Sequence, residues 1–387
     1  MFAYGIFEVI YAPRKAFKEI TQNPRYIGPI LIMILLIAAE TGYGYILASK
    51  SYYEQTLPSG AAPNYDEWTQ SARWWTSNAT ISESNDSLNG GYYGNKSIEF
   101  DMINSKEIYM QVNFNQSIDC YGADGYTNMS LRIKTIYPNT TMLQSASMYL
   151  FSNETDYFKY NLTGYSFSSN RTVWNNLTIP IGPTGGWTSS NANANWSDII
   201  SLKYDFVLSE NANLTIRLTG LFFRGLFISG IEENGISSIL LDYSLSAFIG
   251  FVIAWVLLSG LLFLISKGLG GKAPWKPMLI LVGFILITLF VEIMISVLLR
   301  ANFPDFKYPL EVLGGSNSPG YQSALNKIAG YSTFFQINSF VDIGVTFWII
   351  GLCGFAARQL NEFSWSKSLL VAVVAYFIMV ILTSFIP

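Results

Sequence analysis

The sequence predicts a membrane α-helical bundle of five spans, with an extracellular all-β sandwich inserted between spans one and two. Three observations predict it. Hydrophobic residues make up 50% of the 387 residues and charged residues only 13%, where an ordinary soluble domain carries about 25% charged. The apolar residues concentrate in five stretches near the roughly 20 residues needed to cross a bilayer. Between the first two stretches lies a long polar segment whose apolar residues recur at every second position, the period of half-buried strands.

Residues 1–27 read as one cytoplasmic, interfacial helix. Pro13 suits a first helical position, Arg14 to Thr21 contains no breaker, and Asn23-Pro24 ends the run. Phe17 and Ile20 share one side while Lys15 and Lys18 lie elsewhere, as in a helix among lipid headgroups; a solvated lead-in is the plain alternative. Arg14 and Lys15 either meet anionic lipid or simply set topology. Span one occupies 28–49. It is too long for a signal-peptide core and lacks a small-residue cleavage site, so it is expected to stay. The remaining spans fall in 236–387, at about 239–266, 278–299, 334–357 and 369–386.

Lys and Arg set the orientation. Arg14, Lys15, Lys18 and Arg25 precede span one; Lys267, Lys272 and Lys276 separate spans two and three; Arg358 and Lys367 separate spans four and five. These segments alternate, so the N-terminus is expected inside and the C-terminus outside, in a multi-pass protein of the cell membrane. Arg300, Lys307 and Lys327 dissent mildly, in a loop that also carries Asp305 and Glu311.

Residues 50–235 are then extracellular. Twelve N-x-S/T sequons fall in this segment and none elsewhere, at Asn78, Asn85, Asn95, Asn115, Asn128, Asn139, Asn153, Asn161, Asn170, Asn176, Asn195 and Asn213. Their confinement to the outer segment predicts covalent N-glycans. Ser97 to Phe100, Leu131 to Lys134 and Leu214 to Leu218 alternate apolar and polar residues. Gly, Asn and Ser clusters separate such runs, which predicts many short strands in a sandwich. Ser51 to Tyr93 is poorer in them and reads as an irregular stalk or wrap.

Phe7-Glu8-Val9-Ile10-Tyr11-Ala12-Pro13-Arg14-Lys15-Ala16-Phe17-Lys18-Glu19-Ile20, followed by Asn23-Pro24 and a span, resembles the Yip (Ypt-interacting-protein) membrane family in its prokaryotic, archaeal type. The five-span layout and the loop Gly268 to Lys272 support the resemblance. It implies a cytoplasmic N-terminus and an outer C-terminus. Eukaryotic members act in vesicle trafficking with Rab-type GTPases; the short cytoplasmic portion here offers little surface for one. The outer segment resembles a carbohydrate-binding-type jelly roll over about 65–228. The residues that carry it are Gly94 to Phe100, Tyr157 to Tyr160, Trp174 with Ile179-Pro180-Ile181, Asn195 to Ile199, and Leu221-Phe222-Phe223. Those modules commonly carry an acidic residue where Thr219 stands here, so the resemblance does not bring a calcium or ligand site with it.

The chain contains no histidine, which removes histidine bases, serine-histidine triads and histidine-ligated metals or haem. Cys120 and Cys353 are too few for a cysteine metal site and fall in different predicted compartments, so no internal disulfide is expected. No cofactor is implied. A net charge of -3 with a pI near 5.2 gives nucleic acid no basic surface. Gly268 to Lys272 lacks the ending of a phosphate loop and reads as a tight turn.

Glu40, Asp242, Glu292 and Asp342 lie within or at the edge of the spans, without a basic residue at their depth. Ionisable groups in lipid are costly and often functional. Two readings are open: an outward-facing acidic vestibule for protons or cations, or separate buried acids bonded to Ser, Tyr or backbone, such as Asp342 near Ser339. Trp174, Trp187 and Trp196 either stack on sugars or fill the sandwich core. The favoured function is a non-catalytic anchor or accessory subunit of a membrane complex, presenting the outer domain. The alternatives are a transporter or channel component using the acids, and an envelope glycan-binding receptor. Expected partners are membrane lipids and other membrane proteins, in a complex or a homo-oligomer, and no nucleic acid.

Overall fold

The computed structural model describes residues 2–59, 66–87, 93–136, 143–165, 173–314, 320–328 and 330–385. The chain opens with α1 (Phe2–Tyr11), α2 (Pro13–Gln22) and α3 (Ile27–Ser49). Strands β1 (Ser51–Leu57), β2 (Trp75–Ser77), β3 (Thr80–Ser84), β4 (Ser97–Ile118), β5 (Asn128–Ile136) and β6 (Leu143–Phe151) follow. Next come β7 (Tyr157–Asn161), β8 (Asn175–Pro180), β9 (Thr188–Ser189) and β10 (Ile199–Ser229). The chain then turns helical through α4 (Gly230–Asn234), α5 (Ile236–Gly268), α6 (Trp275–Ile285) and α7 (Ile287–Asn302). Strand β11 (Phe306–Tyr308) and helices α8 (Leu310–Leu313), α9 (Tyr321–Lys327), α10 (Tyr331–Asn361) and α11 (Trp365–Thr383) complete it. The chain divides into a helical unit (1–52, 229–306, 329–387) and a β unit (53–228, 307–328).

Five helices of the first unit are long and apolar enough to cross a membrane: α3, α5, α6 with α7, α10 and α11. The protein is a multi-pass membrane protein. The central span is the third, where Ile280 through Thr288 are all buried. It is not one continuous helix. At Leu286 the ladder tightens, with the Leu289 N–H donating to the Leu286 carbonyl, a 3₁₀-type bond. Span one runs unbroken through Gly42 and Gly44. Small residues let α3 press into its neighbours. A Cβ on Gly28 would stand 1.9 Å from the Phe284 ring, one on Gly44 2.3 Å from Tyr243, and one on Gly283 2.6 Å from Pro29. Close backbone approach at small residues is how helices associate where lipid supplies no hydrophobic drive.

Two helices stand where the sequence suggested one. Apolar Ile6 and Val9 of α1 are buried, and Ala12 leaves helical geometry ahead of Pro13 (φ -136°, ψ 56°). On α2, Ala16 and Phe17 are also buried, packed into the apolar core of the helical unit, so Phe17 does not lie among headgroups. Buried Glu8 receives the Lys15 ammonium at 2.6 Å, which accounts for an acid in the otherwise apolar α1.

The β unit holds strands longer than the sequence suggested. The 22-residue β4 pairs antiparallel with the 31-residue β10 almost throughout. The first half of β10 pairs with β6 and its second half with β5. Register shifts near Ala212 mark bulges, which let a strand bend where its partner changes from β6 to β5. The order β11-β1-β10-β6-β7-β9, with β4 and β5 also paired to β10, β2 and β3 paired to β4, and β8 paired to β5, forms one hydrogen-bonded network. Its apolar face is a single set. Ile98, Phe100, Met110, Leu131, Ile133, Met148, Leu202, Tyr204, Ile216 and Leu218 are fully buried. The period of two seen in the sequence is the period of this face. The supposed wrap at 51–93 supplies β1 to β3 and buried Trp68 and Trp75.

Candidate functional site

Helices α3, α5 and α7 line a half-open cavity of about 370 Å³ in the membrane unit. Leu36 and Glu40 line it from α3, Tyr243, Ala247, Gly250 and Phe251 from α5, and Leu289, Glu292 and Ile293 from α7. The spacings of three and four residues put each set on one helical face. Gly44, one turn beyond Glu40, has no side chain and so lets the Tyr243 ring lie against α3. Gly250 leaves the cavity wall open.

The four acids noted in the sequence part company here. Glu40 and Glu292 are half-buried and share the cavity. Asp342 of α10 is exposed on its helix, with its carboxyl beside that of Glu292. Asp242 is exposed on α5 and is not among the lining residues; it neighbours Tyr243 in sequence, but successive helical residues point about 100° apart. The Ser339 hydroxyl donates to the Phe335 carbonyl of its own helix at 2.9 Å, so its proton is not given to Asp342. Among the described residues no group of three or more acidic or cysteine side chains is placed to hold a metal. Cys120 and Cys353 are buried free thiols.

The C-terminal ends of α3 and α7 are tied reciprocally within the membrane unit. Lys50 donates to the carbonyls of Ala301 and Phe303 at 2.7 and 2.9 Å, and Arg300 donates to the Lys50 carbonyl at 2.7 Å. Each helix thus satisfies the last carbonyls of the other with a cation, the favourable sign at a helix C-terminus. Arg300 is fully buried, with the Phe306 ring 4.1 Å from its guanidinium. Arg300, whose charge runs mildly against the Lys and Arg pattern, is thus held as a structural cation.

In the β unit the aromatic candidates are largely committed to packing. Trp196 is buried and stacks on Phe158 at 3.9 Å, with Trp187 edge-on at 5.6 Å. Trp187 donates its indole N–H to the Pro180 carbonyl at 2.7 Å and tilts on Tyr160. This corrects the sugar-stacking reading for Trp196, whose face is covered. Trp174 is half-buried beneath the Lys134 ammonium. Ten of the twelve sequon asparagines are described; Asn139 and Asn170 lie outside. Nine of these ten are exposed, and Asn128 is half-buried. Asn78 and Asn153 are also tied down by hydrogen bonds to neighbouring backbone.

Two buried polar clusters escaped the sequence reading. The position beside Thr219 does hold an acid, but it comes from the supposed wrap. Asp66 is fully buried and accepts from the Thr69 hydroxyl (2.6 Å), the Gln70 amide (2.9 Å), the Gly220 N–H (3.1 Å) and the Thr219 hydroxyl (3.4 Å). Burial pushes its carboxyl up to about 6, against the pull of those donors. In the second cluster Arg224 forks between two carboxylates. It meets Glu54 of β1 at 2.9 and 2.6 Å, and Glu311 of α8 at 2.8 and 3.0 Å. Glu54 also accepts from the N–H groups of Gly225 and Leu310. Burial acts against ionisation of Glu311, yet Arg224 holds it below the usual carboxylate range. Glu311 stands out in the sequence only as an acid in the loop after span three, with nothing in the pattern to pair it with Arg224.

Comparison with known proteins bears on both units. No curated protein matches the chain. Among solved structures, a family 11 carbohydrate-binding module from Clostridium thermocellum, in complex with a β-1,3-1,4-mixed-linked tetrasaccharide, is similar. It is 10% identical with a TM-score of 0.28, covering 44% of this chain and 95% of that one. A family 30 carbohydrate-binding module of a cellulosomal cellulase from the same organism is also 10% identical with a TM-score of 0.28, covering 40% and 91%. The K1 cleaved adhesin domain of Lys-gingipain from Porphyromonas gingivalis W83 is 10% identical with a TM-score of 0.23, covering 40% and 90%. Scores this low carry neither a ligand nor a site from one chain to another. The N-terminal residues that prompted the family resemblance lie outside the stretch that a family model matches: residues 212–386, from the second half of β10 through spans two to five, match the Yip1 domain.

Proposed function

We propose that this protein is a non-catalytic anchor or accessory subunit of a membrane complex, holding a glycosylated β domain on the outer face of the cell membrane. The observation that carries this reading is the construction of the β unit. It is built from two separate chain segments, 53–228 and 307–328, and Arg224 locks the second onto the first through Glu54 and Glu311. A domain stitched from two insertions in a membrane scaffold is suited to presentation, because the scaffold's connections are part of its fold. The exposed sequon asparagines support glycosylation of this unit. Large exposed apolar side chains on α10 and α11, among them Phe340, Phe347, Phe377 and Ile381, suit lipid or neighbouring membrane helices. The N-terminus is cytoplasmic in this reading. Cross-linking mass spectrometry on the tagged protein, purified in mild detergent from its native membranes, tests it. Stoichiometric partners linked to the β unit or to spans two to five are expected; a lone homo-oligomer would overturn the accessory role.

One observation favours a second reading, a transporter component: Glu40 and Glu292 face one cavity, with Asp342 beside Glu292. Paired acids in a membrane cavity suit a proton or cation. In that case Glu292→Gln abolishes ion-coupled uptake in reconstituted vesicles while leaving expression and assembly intact. Unchanged uptake sinks it.

A further inference from the structure

At the end of the membrane unit where α10 finishes and α11 begins, a pocket of about 290 Å³ opens between α2, α10 and α11. Arg14, Arg358 and Trp365 line it, with Phe355, Phe363 and Glu362. Its size is near the lower end for ligand sites, roughly 300 Å³, suited to a headgroup more than to a whole lipid. Arg358 lies over the Trp365 indole, 4.3 Å from the ring centre. Stacking occupies the guanidinium face and leaves its in-plane N–H groups free to fork onto an oxyanion. Among the described residues neither Arg14 nor Arg358 makes an ion pair or a hydrogen bond. By contrast, Lys15 next in sequence is bound to Glu8, and Lys367 donates to the Leu269 carbonyl at 2.5 Å. Two unpaired guanidiniums face one acid, Glu362, which is exposed and sits in the left-handed region (φ 58°) just past α10. The pocket is therefore net positive.

Its depth is set by its neighbours. It falls where the apolar runs of α10 and α11 end, and half-exposed Trp365 has the amphipathic ring that membrane interfaces favour. Positive charge, aromatic floor and interfacial position together select an anion that arrives with the bilayer. We propose that this pocket binds the phosphate headgroup of an anionic membrane lipid, with Arg14 and Arg358 on the phosphate oxygens and Trp365 beneath the guanidinium. The proposal is independent of what the β unit binds.

The test uses the full chain in nonionic detergent, titrated with short-chain phosphatidylglycerol, short-chain phosphatidylcholine or inorganic phosphate, and read by native mass spectrometry. Phosphatidylglycerol is expected to bind at least about tenfold more tightly than phosphatidylcholine. Arg14→Gln and Arg358→Gln should each weaken it about fivefold, from about 1 kcal/mol per basic residue at an anionic surface. Glu362→Gln should strengthen it, and Lys18→Gln, on the same helix but outside the pocket, should leave it unchanged. Arg14 is exposed, so its variant keeps the test valid even if Arg358→Gln disturbs packing. Equal binding of the two lipids would overturn the proposal. So would a double arginine variant that binds like wild type, or inorganic phosphate that fills the pocket as tightly as the lipid does.

Discussion

Replacing Arg224 by Met should be among the most damaging single changes in the β unit. The side chain is 14% exposed, Glu54 4% and Glu311 23%. Its four charge-assisted bonds would sum to about 6–12 kcal/mol at roughly 1.5–3 each. That sum overstates the loss, because the pair has already given up its hydration. Removing one partner of a buried pair costs about 3–5 kcal/mol, mostly through the stranded charge. Here the stranded charge is chiefly Glu54. Glu311 is nearer solvent and also feels Arg132. We expect about 4 kcal/mol, a large share of the roughly 5–15 that holds a domain together. Arg224→Lys should fall between, because an ammonium keeps the charge but cannot fork onto two carboxylates. The triple change Arg224→Met, Glu54→Gln, Glu311→Gln should recover part of the loss. The assay is thermal unfolding of the full chain in mild detergent, joined to hydrogen exchange at Leu310, whose N–H donates to Glu54 at 2.7 Å. Faster exchange at Leu310 in Arg224→Met is the local signature. A loss below about 1 kcal/mol, or a triple variant no better than the single one, would refute the reasoning.

Gly44→Ala puts a methyl group 2.3 Å from the Tyr243 ring and should destabilise the membrane unit by about 1–3 kcal/mol; Gly42→Ala, with open space around it, should be neutral or slightly stabilising in the same melt. Asp66 should make the β unit less stable as pH rises. Its folded carboxyl is raised to about 6 from an unfolded value near 3.9, so its contribution is full below pH about 4 and lost through pH about 6, up to about 3 kcal/mol. The difference between wild type and Asp66→Asn melting temperatures, followed from pH 4 to 7, isolates this; a flat difference would remove the assignment. Arg300→Gln should cost about 1–3 kcal/mol, by taking one donor from each of the Pro304 and Lys50 carbonyls, the latter keeping the Phe306 N–H; a melt unchanged from wild type would show that water replaces it.

The sequence alone determined the membrane spans and the strand periodicity, because both depend on local composition. An apolar run of some 20 residues has nowhere stable to go but a bilayer. Alternation at Ile98 and Phe100, or Leu214, Ile216 and Leu218, has one face to bury whatever the partner strand. Exposure of the sequon asparagines follows from the same polar composition. What the sequence left open depends on pairing across distance. Glu40 and Glu292 lie on helices 252 positions apart in sequence, and only the packing of α3 against α7 brings both to one cavity. Asp242 had the same composition around it and faces away, since the rotation of a helix is set by its neighbours and not by its own residues. The path of β10 from β6 to β5, the Asp66 cage and the Arg224 fork are likewise tertiary. Each buried charge is tolerable only where a donor from a remote segment meets it, and a charge in the sequence does not say which donor that is.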